Sequence, residues 1–256
     1  MNIFAFIPAR YDSTRFPGKP LALINGKPMI QHVYERSLRC PEIADSYVAT
    51  DHEGILETVH AFGGKAVMTG GKHRSGTDRI AEAVVALGMS DKDLIVNIQG
   101  DQPIFDPGII SDLVAPFFQG EPPPMATLKY RVFREAEREN PNHVKVVTDR
   151  SGYALYFSRY PVPFVRDRQD GDFACYKHLG LYAYRTDFLL EFTRLEPGVL
   201  ERTEKLEQLR ALEHGFRIKV SETSYNSLEV DVPEDIGRIE KALEEERSPR
   251  NQKLLT

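Results

Sequence analysis

Along the first half of the chain, short apolar runs alternate with stretches in which apolar residues return at helical spacing. NIFAFI (2–7) and LIVNI (94–98) are unbroken apolar runs, the pattern of strands covered on both faces. SYVAT (46–50) and KAVMT (65–69) predict further strands. PMIQHVYERSLR (28–39) sets Met29, Val33, Arg36 and Leu38 near helical spacing, with Pro28 at a first helical position. GILETVHAF (54–62) predicts a helix closed by Gly63-Gly64, and TDRIAEAVVALG (77–88) one opened by Thr77 and Asp78 and stopped by Gly88. Such alternation predicts a parallel sheet with helices on both faces.

The second half changes period. MATLKYRVF (125–133), HVKVVTD (143–149), GYALYFS (152–158), KHLGLYAYR (177–185) and RIKVSE (217–222) read as strands, with a hairpin turn at Asp149–Gly152. Helices are expected around 187–195, 202–213 and 233–246, the last opened by Pro233 and two acids. EPPP (121–124) is a stiff connector between the halves, no internal repeat is present, and residues 247–256 form a polar tail. A single domain over 1–246 follows, with 226–246 returning to the core.

Composition narrows the function. Lys and Arg number 33 against 38 Asp and Glu, a formal charge of −5 over 256 residues, which argues against a general nucleic-acid binder. The first residues lack the basic start of a signal peptide, and no apolar stretch approaches the ~20 residues of a membrane helix. Cys40 and Cys175 share no motif with each other or with nearby histidines, and two free thiols suit a reducing cytosol. A cytoplasmic protein with no membrane partner is expected.

Against that acidic background, IPARYDSTRFPGKP (7–20) is locally basic and stiff. It follows the first strand, and ligands bind at the carboxyl ends of parallel strands. It matches neither GxxxxGK[ST] nor GxGxxG, so anion binding would fall to side chains: Arg10, Arg15 and Lys19, with Ser13 as a neutral donor. A merely solvated loop is the competing reading, and its place at a strand end favours function. IVNIQGDQP (95–103) ends a buried strand in Gly100 and Asp101, where glycine admits close backbone approach and a hard carboxylate suits Mg2+. LEVDVPED (228–235) presents Asp231 just before a helix, either as a second metal carboxylate or as a helix cap. KHRSGTDR (72–79) places Arg74, Ser75 and Thr77 before a helix N-terminus, an anion or base-edge site. Arg159, Arg166 and Arg168 lie among prolines and aromatics, and His178 and Tyr182 on a strand. Periodicity gives no reason to single out Glu207 and Gln208 within their amphipathic helix.

Taken together, IPARYDSTRFPGKPL, ATDHE (49–53), HRSGTDRI (73–80), VNIQGDQP, NHVKVV, ALYFSR, KHLGLYAYR, KLEQLR and VDVPED resemble the 3-deoxy-manno-octulosonate (Kdo) cytidylyltransferases, the CMP-Kdo synthetases, over nearly the whole chain. KHLG with LEQLR is the more specific part. The resemblance implies a Rossmann-like three-layer α/β sandwich of the nucleotide-diphospho-sugar transferase type. Its central sheet would be mostly parallel, with a smaller strand-rich lobe for sugar binding and dimerisation. Residues 1–120 would mainly bind CTP and 121–225 the sugar and a second subunit.

The implied reaction is CTP plus Kdo giving CMP-Kdo and diphosphate with Mg2+, for lipopolysaccharide synthesis, in a homodimer. By this resemblance Arg10, Ser13 and Lys19 hold the triphosphate, with Arg15 close by. Asp101 and Asp231 bind one or two Mg2+, and Arg10, Lys19 and both aspartates form the catalytic set. Arg74 and Ser75 with the backbone of Pro8 and Ala9 read cytosine, and Gln99 and Gly100 complete the CTP site. The sugar side takes Arg15, Gln99, Arg159, Arg166, His178, Tyr182, Glu207 and Gln208, its arginines matching the Kdo carboxylate.

Two positions depart from the family pattern, Gln102 where Glu is frequent and Glu229 where Gly is usual. Glu229 resembles enzymes acting on the 8-amino analogue of Kdo, where an acid can pair with an ammonium. A sialic acid cytidylyltransferase is disfavoured by KHLG and LEQLR, and a glycosyltransferase by Asp101-Gln102-Pro103 in place of Asp-x-Asp. A non-enzymatic nucleotide-binding module would have no use for both aspartates with the sugar-side set.

Overall fold

The computed structural model describes residues 1–12, 15–132, 134–166 and 174–247. The chain runs β1 (Ile3–Ala9), β2 (Leu23–Ile24), β3 (Lys27–Pro28), α1 (Met29–Ser37), β4 (Asp45–Thr50), α2 (Glu53–Ala61), β5 (Ala66–Met68), α3 (Gly76–Ala86) and β6 (Leu94–Asn97). It continues with α4 (Gly108–Val114), β7 (Met125–Val132), α5 (Glu135–Glu139), β8 (Lys145–Thr148), β9 (Ala154–Ser158) and β10 (Cys175–Arg185). Then come α6 (Thr186–Phe192), α7 (Val199–Glu204), α8 (Leu209–Glu213), β11 (Ile218–Thr223) and α9 (Asp235–Arg247). Short 3-10 turns lie at Lys19–Leu21 and Ala115–Phe118. The chain divides into two compact units, one of Asn2–Gly88, Asn97–Pro107 and Ser227–Thr256, the other of Met1, Met89–Val96 and Gly108–Asn226.

In the first unit β1, β4 and β5 pair in parallel, as the alternation predicts. Ala9 lies opposite Thr50, and Thr50 opposite Met68, so the three strands deliver the chain to one rim. Phe6, Ile7, Val48, Ala49, Ile55, Val59 and Ile80 are fully buried, as expected of strands covered by helices. The segment after β6 joins this unit, Ile98 N donating to Phe6 O at 3.0 Å. Ser75 caps α3, its side chain accepting from Asp78 N. Helix α9 packs on a cluster of Ile24, Met29, Ile104, Val230, Ile239 and Leu243.

The second unit is mixed. β7 pairs in parallel with β11 and antiparallel with β10, while β8 pairs antiparallel with both β10 and β9. A register shift between Leu179 and Tyr182 interrupts β10.

One local expectation changes, and elements appear where none was expected. The helix expected at 202–213 is two, because Lys205 takes a left-handed φ of 54° between α7 and α8. Arg210 then braces the break, donating to both carboxylate oxygens of Glu201 at 2.7 and 2.8 Å. The β2–β3 hairpin turns on Asn25 (φ 47°) and Gly26 (φ 77°), the two left-handed residues that a tight hairpin turn needs. Helix α4 fills an apolar stretch for which no element was expected.

Candidate active site

The carboxyl end of β1 opens into a cleft of about 340 Å³ that lies wholly within the first unit. Pro8, Ala9, Arg10, Arg15, Lys19 and Pro20 line it from the first loop, His73, Arg74, Ser75, Gly76 and Arg79 from the start of α3, and Gln99, Gly100 and Asp101 from the segment after β6. Its floor is tight. A Cβ on Gly100 would lie 3.0 Å from Pro8 O, and one on Gly76 2.9 Å from the Pro8 ring, so both segments approach closely only as glycine. The basic loop is tied back on itself by Gly18 N donating to Tyr11 O at 2.9 Å. The Tyr11 ring in turn stacks on His52, with centroids 4.2 Å apart. Neither ring was singled out from the sequence; an aromatic directly beyond a strand end was the available signal.

Two ion pairs cross the rim of this unit. Lys19 Nζ donates to Asp101 Oδ2 at 2.6 Å and to Val230 O at 3.0 Å. Arg15 Nη2 lies 3.0 Å from Asp231 Oδ1. The aspartates belong to neighbouring segments because Val230 N donates to Asp101 O at 2.9 Å, putting Asp231 one residue beyond that bond. The Asp231 carboxylate faces Arg15, and Asp235 Oδ2, in the first turn of α9, reaches back to accept from Asp231 N and Val232 N at 2.8 and 3.1 Å. No cluster of three or more His, Cys, Asp or Glu suited to a metal occurs among the described residues, so a metal here would rest on two carboxylates.

The basic side chains of the α3 segment divide by partner. Arg79 is buried, bonded to Asp51 at 2.8 Å and to Thr69 at 2.7 Å, so its charge is spent inside the fold. His73 pairs with Glu82. Arg74 is exposed and only 3.6 Å from Asp78, which leaves its fork open to the cleft. The Ser75 hydroxyl is engaged as the α3 cap. Arg10 is exposed on the same wall, and Gln99 Nε2 donates to Asn97 Oδ1 at 3.3 Å. Ser13 and Arg168 lie outside the described residues.

The two departures from the family pattern touch each other. Gln102, 1% exposed, donates its Nε2 to Glu229 Oε1 at 2.9 Å. A carboxylate at 102 would bury a negative group at hydrogen-bond distance from the exposed Glu229 carboxylate. Gln102→Glu is therefore expected to lower stability by about 2 kcal/mol at neutral pH, and Gln102→Glu with Glu229→Gln to recover most of it. Urea midpoints of wild type and both variants check this; a single variant as stable as wild type would contradict it.

In the second unit, β10 carries His178 and Tyr182 with ring centroids 5.4 Å apart, and Phe157 closes the other side of the imidazole. Burial pushes the His178 pKa down, to about 3, so the ring is neutral. Burial, with Glu207 nearby, pushes the Tyr182 phenol up, so it remains a donor. Gln208 is 3% exposed, and its Nε2 has no hydrogen-bond partner among the described residues. His178, Tyr182 and Glu207 thus share one neighbourhood, with Gln208 beside Glu207 in the chain. Arg159 is committed elsewhere, donating to the carbonyls of Glu204, Pro141 and Lys205 at 2.7, 3.1 and 3.3 Å. Arg166 is exposed. The fully buried Lys145 donates to Asn140 O and Arg159 O, bracing the same loop.

A family model described as Cytidylyltransferase matches residues 4–221. A 3-deoxy-manno-octulosonate cytidylyltransferase of Syntrophus aciditrophicus is 56% identical over 238 residues, covering 93% of this chain and 96% of that protein. An 8-amino-3,8-dideoxy-manno-octulosonate cytidylyltransferase of a Shewanella species is 54% identical over 245 residues, covering 95% and 99%. Among solved structures, a CMP:2-keto-3-deoxy-manno-octonic acid synthetase complexed with CTP superposes with a TM-score of 0.90 at 40% identity, covering 96% of this chain and all of that one. A 4-diphosphocytidyl-2C-methyl-D-erythritol synthase shares the fold alone, with a TM-score of 0.62 at 14% identity over 94% of this chain and 98% of its own. Fold and relatives agree on the class, and the chain is an α/β nucleotidyltransferase. It belongs to the cytidylyltransferase family, within the branch of the 3-deoxy-manno-octulosonate cytidylyltransferases.

Proposed function

We propose that the chain transfers a cytidylyl group from CTP to Kdo, releasing diphosphate. The observation that carries the reading is the meeting of Arg10, Arg15 and Lys19 with Asp101 and Asp231 at one strand-end rim. In the reaction the anomeric hydroxyl oxygen of the sugar acid bonds to the α-phosphorus. The bond from that phosphorus to the α–β bridging oxygen breaks, diphosphate leaves with the electron pair, and the hydroxyl proton is released. Catalysis of this kind is positioning and charge stabilisation.

Arg10 and Lys19, with Ser13, would hold the triphosphate, while Arg74 and the backbone of Pro8 and Ala9 face the base. Two hard carboxylates on adjoining segments fit the one or two that Mg2+ takes alongside phosphate and water, so Asp101 and Asp231 would hold it. When bound, the ion neutralises charge developing on the phosphates. On the sugar side, the neutral His178 and the protonated Tyr182 offer an acceptor and donors to hydroxyls. The exposed Arg166 offers a fork to the carboxylate.

The product would serve lipopolysaccharide assembly in the cytoplasm. A homodimer is part of this reading, supported by the exposure of Tyr160 (75%) and Phe164 (84%) on the second unit. A second reading, turnover of the 8-amino analogue, is favoured by the Shewanella relatives and by the exposed Glu229 carboxylate. Incubation with CTP, Mg2+ and either Kdo or its 8-amino analogue, read by product mass, is expected to give the CMP-sugar. No product with either acid would overturn the function. Equal or better turnover of Kdo would remove the preference for the analogue.

A further inference from the structure

We infer that Lys19 is a tethered competitor for Asp101, one that a divalent metal must displace and that the nucleotide draws away. The inference rests on reading Asp101 and Asp231 as metal carboxylates. An ammonium has three donors, and two are already committed, at 2.6 Å to Asp101 Oδ2 and 3.0 Å to Val230 O. Both acceptors are hard oxygens of the kind a divalent ion also selects.

The contact is not a loose surface pair. The Lys19 side chain is 15% exposed and that of Asp101 32%, so water screens the attraction only in part. The aspartate side is the more rigid, since Val230 N holds Asp101 O at 2.9 Å. The lysine side hangs on a flexible four-carbon stem. When one partner must yield, it is the ammonium. A triphosphate offers that ammonium a stronger anion within the same cleft, so nucleotide binding frees Asp101 for the metal. Linkage then requires each ligand to tighten the other. Arg15 makes the matching pair with Asp231, but at 66% and 48% exposure solvent weakens it, so Lys19 carries most of the effect.

The test counts free Mn2+ by electron paramagnetic resonance in titrations of purified protein, with and without CTP. Without CTP, Lys19→Met is expected to bind Mn2+ about tenfold more tightly than wild type, Arg15→Met no more than about threefold. Lys19→Arg keeps the cation and should stay near wild type. Arg10→Met removes an equal charge from the same cleft and should change little. With CTP added, wild type should gain more Mn2+ affinity than Lys19→Met. Melting curves establish that each variant is folded. A Lys19→Met protein that binds Mn2+ no more tightly than wild type overturns the inference. So does an Arg10→Met protein that gains as much, since net charge alone would then explain both. Wild type that binds no Mn2+ even with CTP refutes the metal assignment itself, a separate result.

Discussion

Asp101→Asn and Asp231→Asn are each expected to lower diphosphate release about a thousandfold, the scale seen when one preorganised charge is removed from a transition state. Asparagine keeps the shape of the side chain, and the bond from Val230 N to Asp101 O does not involve the carboxylate. What each variant loses is one negative charge at the rim. The fold has little stake in the Asp231 charge, whose exposed pair with Arg15 contributes about 1 kcal/mol or less, and the less exposed Lys19–Asp101 pair costs more but far less than the expected loss of rate. Activity should therefore collapse while the urea midpoint moves little. The Asp101 variant also releases the Lys19 ammonium, so its CTP affinity should hold or rise, which separates lost chemistry from lost binding. The measurement is diphosphate release at saturating CTP, Mg2+ and Kdo. Unchanged rates in both variants would remove the two-carboxylate assignment.

Period and breakers made most of the first unit legible. The β1 and β4 runs are largely apolar because helices cover the sheet there, β6 was visible in the same way, and β5 is a short, partly exposed edge strand. Where local signals compete, reading was harder. Asn25-Gly26 is a direct hairpin signal, but its strands of two residues are too short to show any alternation. α4 sits in an apolar run between Pro107 and Pro116 whose period is too brief to separate helix from strand. The 202–213 helix looked continuous because nothing in the sequence announces a left-handed lysine at 205.

The site shows the same divide. Charged side chains after strand ends are visible residue by residue, yet for Asp101 and Asp231 a turn or cap role is the commoner reading of the residues alone. Backbone bonds from Val230 N to Asp101 O and from Leu228 N to Ile104 O bring their segments together. Similarly, Arg74 and Arg79 are equivalent in the sequence, and tertiary contacts alone turn one toward the cleft and bury the other against Asp51. The Gln102–Glu229 contact spans 127 residues, so each departure had to be read singly before its partner was known.

The second large effect concerns acid stability. His178 Nε2 lies 2.8 Å from Thr127 Oγ1, and the same hydroxyl lies 2.7 Å from Leu181 O and 3.2 Å from Leu179 O. Both carbonyls are acceptors, so the single hydroxyl proton goes to one of them and Nε2–H donates to the oxygen. The ring is then neutral with Nδ1 as its lone-pair nitrogen. Protonation would place a charge among Phe157, Tyr182 and Thr127 with no anion in contact, consistent with a pKa held near 3 against the usual 6.5. The sign follows from proton counting. Between pH 3 and 6.5 the unfolded chain binds a proton at this position that the folded chain refuses. The stabilisation is complete above pH 6.5 and is lost as pH falls through this window, at about 1.4 kcal/mol per pH unit. Between pH 7 and pH 5 this one group should remove about 2 kcal/mol. His178→Gln keeps an amide donor for Thr127 and has nothing to titrate, so its stability should fall less over the same interval. Urea unfolding of both proteins at pH 7 and pH 5 reads the difference directly, with contributions from His32 and His143 cancelling between them. An equal loss in the two proteins would mean that the His178 ring accepts its proton without leaving the fold.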